Sequence, residues 1–246
     1  MTRPALILLT IGLLAGCASN PDDANRLGNE AAAALYEAAT EAADRNDWQT
    51  AISELESLQA QYPFGLYATQ AQLDIIHAYY QAGEVASTVA AAERFRRINP
   101  RHRAVPYTWY MQGLALEEKN RGPVKDWVGV DDVLRDPVPR RQAFEAYTTV
   151  VEDHPDSDYT AMARERIDAL YRDGARFQLS VARFYAERGA WVAAAQRAIT
   201  VIEAFDGTPA VDPAMTLLIE AYEALELNDL ADGVAEAAGA RDDRTD

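Results

Sequence analysis

Three Xaa-Pro pairs that close apolar helical stretches constrain this chain more than any other feature of its 246 residues. Because proline cannot continue a helix and disfavours a helical conformation in the residue before it, each pair predicts a helix end. The pairs are Tyr62-Pro63, Asn99-Pro100 and His154-Pro155. Frequent alanine and scarce β-branched runs agree with a helical chain.

Positions before the prolines also repeat. A small residue stands twelve positions before each proline, and a second residue, typically larger, stands eight positions before it: Ala51, Thr88 and Ala143, then Leu55, Ala92 and Tyr147. Tyr79 and Gly83 precede the second proline by 21 and 17 residues, and Tyr185 and Gly189 keep these offsets to Asp206. The pattern resembles the tetratricopeptide repeat. We therefore predict an all-α chain, a superhelix of about five tetratricopeptide-like hairpins over residues 30–240.

The repeat is not uniform. Pro63 to Pro100 is 37 residues and Pro100 to Pro155 is 55, and the excess predicts an inserted loop at about 120–139. Residues 157–187 contain few breakers, so we expect one extended helix or two abutting helices there. A last hairpin is expected at about 213–240, followed by a short charged tail at 241–246.

The N-terminus, MTRPALILLTIGLLAGCASNPDD, contains the only cysteine of the chain, Cys17. Arg3 and an apolar run too short to span a bilayer are typical of a secretory signal peptide. The tetrad LAGC resembles the lipobox of bacterial lipoproteins, which implies cleavage after residue 16 and a Cys17 that carries S-diacylglycerol and an N-acyl chain. An ordinary signal peptide with an incidental cysteine is the alternative.

The residues after the cysteine bear on where such a lipoprotein goes. Ala18 and Ser19 are not acidic, and by resemblance to lipoprotein sorting they favour the outer membrane over inner-membrane retention. Residues 17–29 have the composition of a solvated, flexible tether. The folded part is therefore expected to begin near residue 30.

Charge and motifs exclude several classes of function. The formal net charge of −16 repels phosphates, so nucleic acid is a poor partner. The three histidines are not at metal-ligand spacing, and no nucleophile elbow, dinucleotide or Walker motif occurs. The helical spacing of Leu73, Ile76, His77 and Tyr80 predicts a packed, hydrogen-bonded His77. We expect no cofactor, no metal and no enzymatic activity.

Aromatic residues concentrate in the first half of the chain, around the stretch YPFGLY and the pair Tyr79-Tyr80. Aromatic side chains offer a large contact area and are suited to gripping an extended peptide. About half of them are expected in the core between repeats. Phe64 and Tyr67 are the pair expected to be more exposed.

Four stretches taken together resemble the BamD family, the lipoproteins of the outer-membrane β-barrel assembly machine: QYPFGLYATQAQLDIIHAYY, RINPRH, WVGVDDVLRDP and YAERGAW. The resemblance implies a five-repeat protein on the periplasmic face of the outer membrane. Its C-terminal repeats would bind POTRA domains of the barrel subunit BamA, and its N-terminal repeats would receive the C-terminal strand of unfolded outer-membrane proteins. Accessory lipoproteins are further possible partners.

Residue roles follow from the same resemblance. Arg188, with Glu187 beside it and Trp191 as packing, would belong to the BamA-facing surface. The expected substrate-peptide residues are Tyr62, Phe64, Tyr67 and Tyr79. The insert departs from the family pattern, since Asp132 stands where the family has arginine, so no role is carried over to it.

Two other functions remain open at this point. The chain is alternatively a tetratricopeptide lipoprotein scaffold that recruits peptidoglycan or cell-division factors. A periplasmic hydrolase is the third hypothesis, which the lack of a catalytic constellation disfavours.

Overall fold

The computed structural model describes residues 21–118 and 137–242. These residues form ten helices and no strand, which confirms the predicted all-α class. The helices are α1 (Pro21–Asp44), α2 (Trp48–Gln61), α3 (Ala68–Gln81), α4 (Val85–Ile98), α5 (Val105–Glu118), α6 (Pro137–Asp153), α7 (Thr160–Ala186), α8 (Trp191–Ala204), α9 (Val211–Ala224) and α10 (Asn228–Asp242). They fall into two compact units, residues 1–84 and 85–246, which are described separately below.

The predicted helix ends are confirmed at all three Xaa-Pro pairs. Helices α2, α4 and α6 end at Gln61, Ile98 and Asp153, in each case two residues before the proline. Helix α2 begins with the Oδ1 of Asp47 accepting a hydrogen bond from the Thr50 amide at 3.3 Å, which satisfies one of the free donors at a helix start.

Several connections between helices use one turn geometry. Gly83 and Gly189 have φ of 74° and 69°, a left-handed conformation that glycine adopts without strain. The next amide reaches back five residues in both turns, from Glu84 to the Tyr79 carbonyl at 2.9 Å and from Ala190 to the Tyr185 carbonyl at 3.0 Å. The predicted turn glycines therefore close the ends of α3 and α7.

Unit 1 contains α1, α2 and α3, with α2 packed between the other two. Its buried side chains are small or aliphatic, and they include the predicted positions Ala51 and Leu55. His77 is exposed, so the prediction of a packed histidine is wrong. The buried face of α3 runs through Ala71, Ile75 and Ala78, and it leaves the His77 ring at the surface. There the ring lies nearly perpendicular to that of Trp48, at a centroid distance of 5.7 Å.

Unit 2 contains α4 to α10, each packed on the next helix in sequence. The repeat positions predicted from the prolines are confirmed as buried here as well: Thr88, Ala92, Ala143 and Tyr147. Ala194 and Ala198, which stand twelve and eight residues before Asp206, are also buried. Helix α7 is a single extended helix of 27 residues, one of the two expected alternatives. It contacts α6, α8 and α9, and so joins the middle of the unit to its C-terminal hairpin.

Two glycines allow helices of unit 2 to approach closely. A Cβ on Gly113 of α5 would lie 2.4 Å from a ring carbon of the fully buried Tyr147. A Cβ on Gly174, inside α7, would lie 2.8 Å from the ring of Phe205. Real Cβ atoms do not come this close to a ring, so each aromatic side chain packs where only glycine leaves room.

The structure differs from the sequence-based boundaries in two places. Residues 21–29, expected in the tether, form the first turns of α1. The sequence at this start, a proline followed by two acidic residues, is typical of the first turn of a helix. The last three residues of the expected loop at 120–139 open α6. The signal peptide, Cys17, Asp132 and the rest of that loop lie outside the described residues.

Candidate functional site

The connection between α2 and α3, residues 62–67, is here called the aromatic loop. Phe64 and Leu66 are 95% and 81% exposed, although both are large apolar side chains. Tyr62 is half-buried beside Gly28 of α1, at ordinary van der Waals distance from the position of a Cβ there. The Tyr62 ring therefore lies against the scaffold, while Phe64 and Leu66 present apolar side chains to solvent.

Tyr67, the last residue of the aromatic loop, is held by α1. Its ring stacks on that of Tyr36, with centroids 5.0 Å apart and planes 28° from parallel. The Tyr36 hydroxyl donates to Asp74 Oδ2 at 2.8 Å, and the Gln70 amide nitrogen donates to Asp74 Oδ1, also at 2.8 Å. Both carboxylate oxygens of Asp74 thus accept a hydrogen bond, and the stacked pair is fixed to α3.

The electrostatics of this cluster keep Tyr36 neutral. Partial burial raises the pKa of Tyr36 to about 12, and the hydrogen bond to the Asp74 carboxylate adds to the shift. The hydroxyl is therefore a donor at every physiological pH. The cluster is thus a half-buried stack of two tyrosine rings with a hydrogen-bonded polar edge.

Tyr79, the fourth residue expected in the peptide site, lies apart from the aromatic loop. It follows Tyr67 by twelve positions along α3, which corresponds to about 18 Å at 1.5 Å per residue. Its hydroxyl donates to Glu56 of α2, whereas the Tyr67 cluster faces α1. The structure thus groups Tyr62, Phe64 and Tyr67, and separates Tyr79 from them.

Sequence reasoning missed Tyr36, Gln70 and Asp74. The spacing of Gln70 and Asp74 is four residues, which places them on one helix face and could have marked them as a pair. Nothing local in the sequence indicates that Tyr36, more than thirty positions earlier, meets this pair, because that contact depends on how α1 packs.

The second group of expected residues lies at the turn between α7 and α8. The Arg188 guanidinium carbon stands 3.5 Å from the centre of the Phe184 ring, and Nη1 donates to the Phe184 carbonyl oxygen at 3.0 Å. The carboxylate of Glu187 is 3.9 Å from Nη1, a contact of two exposed side chains that contributes little. Arg188 is thus oriented mainly by Phe184.

The neighbours of Arg188 make this an exposed mixed surface. Phe184 is 49% and Val192 is 69% exposed. We call Phe184, Glu187, Arg188 and Val192 the Arg188 surface. Trp191 is half-buried and packs against the core formed by α7, α8 and α9, so it supports this surface from below. Sequence reasoning missed Phe184 and Val192, which stand four residues before and after Arg188.

Neither group has the form of a catalytic or metal centre. Across residues 21–118 and 137–242, no group of three or more histidine, cysteine, aspartate or glutamate side chains is placed to hold a metal ion. In the same part of the chain, none of the helices combines the length and apolar character that crossing a bilayer requires. Stacked tyrosines, exposed apolar side chains and an oriented arginine are groups that contact other proteins.

Comparison with known proteins shows which family this chain belongs to. The family profile described as YfiO, outer membrane lipoprotein, matches residues 29–236. The chain belongs to this family. The resemblance drawn from the sequence motifs is confirmed, because the relatives found independently are named outer membrane protein assembly factor BamD.

Relatives named BamD match this chain over most of their length. The protein of Vibrio cholerae serotype O1 is 36% identical over 222 residues, which cover 90% of this chain and 91% of the relative. That of Neisseria gonorrhoeae is 33% identical over 231 residues, covering 92% and 86%. That of Pasteurella multocida is 30% identical over 239 residues, covering 97% and 90%. These relatives are named as assembly factors and not as enzymes.

Proposed function

We propose that this member of the BamD family is a non-enzymatic component of the outer-membrane β-barrel assembly complex. It would assist the folding and insertion of outer-membrane proteins by binding a BamA-like barrel subunit and unfolded substrate. The observation that carries the proposal is the family match, which extends over residues 29–236 and thus includes both candidate surfaces.

The Arg188 surface is proposed to bind a POTRA domain of the BamA-like subunit, with Arg188, Glu187 and Trp191 in the roles expected from the resemblance. Arginine and aromatic residues are the side chains that most often dominate protein interfaces. Here the guanidinium is already positioned by Phe184, so less side-chain freedom is lost on binding. Its planar donor edge suits a carboxylate of the partner.

The aromatic loop is proposed to receive the C-terminal strand of an unfolded outer-membrane protein. Phe64 offers an exposed ring, while Tyr62 and Tyr67 are anchored on the scaffold and keep the loop in place. Tyr79, about 18 Å away, would contact a different part of the same substrate. An extended chain covers that distance in about five or six residues, at roughly 3.3 Å each.

The protein is proposed to be held at the periplasmic face of the outer membrane by acyl chains on Cys17. Each buried methylene contributes about 0.8 kcal/mol, so two or three acyl chains anchor a protein firmly. Cys17→Ala is expected to release it into the soluble periplasmic fraction when the barrel subunit is depleted. A Cys17→Ala protein that still sediments with outer membranes under these conditions would refute the anchor.

Co-purification tests the proposed complex. A tagged copy extracted from membranes is expected to recover the BamA-like subunit, and Arg188→Glu to recover much less of it. Arg164→Glu, which reverses an exposed charge at the other end of α7, is the matched control and is expected to behave as wild type. Recovery of cell-wall hydrolases without the barrel subunit would instead support the scaffold alternative.

A further inference from the structure

A groove in the C-terminal part of unit 2 is not used by either proposed surface. It has a volume of about 370 Å³ and lies between α8, α9 and α10. Met215 and Leu218 form its buried floor, and Ile199, Ile202, Leu230 and Val234 are among the residues of its walls. Leu230 is 51% exposed at the edge. The groove is thus an open, aliphatic channel beside a lightly packed last helix.

Packing three consecutive helices does not by itself produce an apolar groove, as a second groove in unit 2 shows. Three consecutive helices, α4, α5 and α6, form a groove of similar volume, about 360 Å³, elsewhere in unit 2. About half of the lining of that groove is polar or charged, including Gln112, Gln142 and Thr149. Trp109, which also lines it, is covered by Arg96, whose guanidinium carbon is 3.6 Å from the ring centre. The described residues that line the C-terminal groove include no lysine or arginine.

Strong negative charge surrounds the C-terminal groove. Residues 199–242 contain ten carboxylates and one arginine. That arginine, Arg241, is engaged by Asp206 at 2.8 Å and by Asp212 at 3.9 Å. Glu203 and Asp229, which line the groove and are exposed, form no ion pair with a described residue. A bound segment would therefore meet aliphatic side chains in the channel and carboxylates along the edges.

We propose that the C-terminal groove binds an amphipathic helix of another protein, with aliphatic residues on one face and lysine or arginine on the flanks. Apolar side chains of that helix fill the channel over Met215 and Leu218, as in helix-in-groove recognition. Its basic residues neutralise Glu203 and Asp229, which steers association and selects against acidic partners. The inference does not depend on the Arg188 surface or the aromatic loop, because neither contributes a residue to the groove.

Substitution of Gly233 in α10 can be used to fill the C-terminal groove. It lines the groove, and a Cβ built on it meets no atom of the described chain within 4 Å. Gly233→Leu therefore adds an apolar side chain at the lining of the groove, at a position where its Cβ meets no clash. Gly239, in the same helix and also without a neighbour within 4 Å, does not line the groove and serves as the matched control. Both substitutions are expected to raise the melting temperature, since glycine disfavours a helix interior.

The test uses the mature full chain in detergent and two fluorescent peptides of roughly fourteen residues, or four helical turns. Both contain the same leucines and lysines, aligned on one helix face in the first peptide and scrambled in the second. We expect the first peptide to bind and the second to bind at least tenfold more weakly. Gly233→Leu is expected to lose at least tenfold in affinity for the first peptide, Gly239→Leu to keep it, and Asp229→Lys to weaken binding most at low salt.

Equal binding of the two peptides would overturn the proposal, and so would unchanged binding by Gly233→Leu. Analytical ultracentrifugation of the same samples tests the alternative that a second copy of this chain occupies the groove. Self-association of the wild type that Gly233→Leu abolishes would show that a second copy of this chain fills the groove, which contradicts the proposal.

Discussion

Arg188 lies over the ring of Phe184, with its guanidinium carbon 3.5 Å from the ring centre and Nη1 bonded to the Phe184 carbonyl oxygen. The two residues are one helical turn apart at the end of α7, and both are largely accessible. Phe184 thus orients the arginine, and the interface proposed at Arg188 would also depend on the Phe184 ring.

Phe184→Ala is therefore expected to weaken binding to the isolated POTRA domains of the BamA-like subunit by about tenfold, because the guanidinium loses its support and the partner loses an apolar contact. Stability should change by less than about 1 kcal/mol, since the ring is half exposed. Binding is measured by titration calorimetry. Met162→Ala, a partly exposed apolar side chain at the start of α7, is the control and should bind as wild type. Equal affinities for Phe184→Ala and wild type would contradict this role.

The aromatic loop gives a prediction for substrate binding. The double variant Phe64→Ser with Leu66→Ser should keep the free energy of unfolding within about 0.5 kcal/mol of wild type, because both side chains are exposed. Its crosslinking to a peptide with the C-terminal sequence of an outer-membrane protein should fall several-fold. Ile98→Ser, which changes another exposed apolar side chain that lies outside the loop, should leave crosslinking intact. Undiminished crosslinking of the double variant would remove the loop from the substrate site.

Tyr36 gives a prediction for pH dependence. Its folded-state pKa is raised to about 12 by burial and by Asp74, above the usual value near 10. The stabilising contribution is therefore complete below about pH 10 and is lost as the pH rises towards 12. Tyr36→Phe should cost about 1 kcal/mol of unfolding free energy at neutral pH through the lost hydrogen bond, and it should lose less stability than wild type between about pH 10 and 12.

Urea unfolding at a series of pH values measures this difference. Tyr171→Phe is the control for removal of a tyrosine hydroxyl, since that group donates to the Ala204 carbonyl and is remote from Asp74 in sequence. Parallel pH profiles for wild type and Tyr36→Phe would show that the Tyr36 hydroxyl does not titrate as described.

Gly113 gives a prediction for stability. Gly113→Ala forces a methyl group against the Tyr147 ring. Because that ring is fully buried, it has little room to move, and we expect the free energy of unfolding to fall by about 1–3 kcal/mol. Gly239→Ala in α10 meets no atom within 4 Å and should stabilise by about 0.5–1 kcal/mol, as alanine does in an exposed helix. Thermal unfolding of the two variants should therefore move in opposite directions. An unchanged melting temperature for Gly113→Ala would contradict the close packing of α5 on α6.

The elements that sequence reasoning predicted correctly rest on local chemistry. Proline ends α2, α4 and α6, glycine adopts the left-handed turn at Gly83 and Gly189, and small residues at a fixed offset are buried. Each of these depends on a residue and its near neighbours. Because the repeat places the same residue types at the same offsets several times along the chain, a single sequence is enough to detect them.

What sequence reasoning missed depends on packing between distant residues. His77 was expected in the core because its helical spacing matched an apolar stripe, yet the buried face of α3 is centred on Ile75. The Tyr36–Asp74 bond joins α1 to α3 and has no local signature. The sequence does not single out Phe184, because its contribution is to orient the Arg188 guanidinium, and this contact is seen only in the side-chain geometry.

Depletion of this protein from its own bacterium tests the central proposal most directly. The measured quantity is the fraction of outer-membrane barrel proteins that is folded, read from their heat-dependent mobility on gels, with wild-type or Arg188→Glu protein supplied in trans. Folded barrels should disappear on depletion and return with the wild type, and should return less well with Arg188→Glu. Barrel proteins that stay folded and abundant after depletion would contradict a role in their assembly.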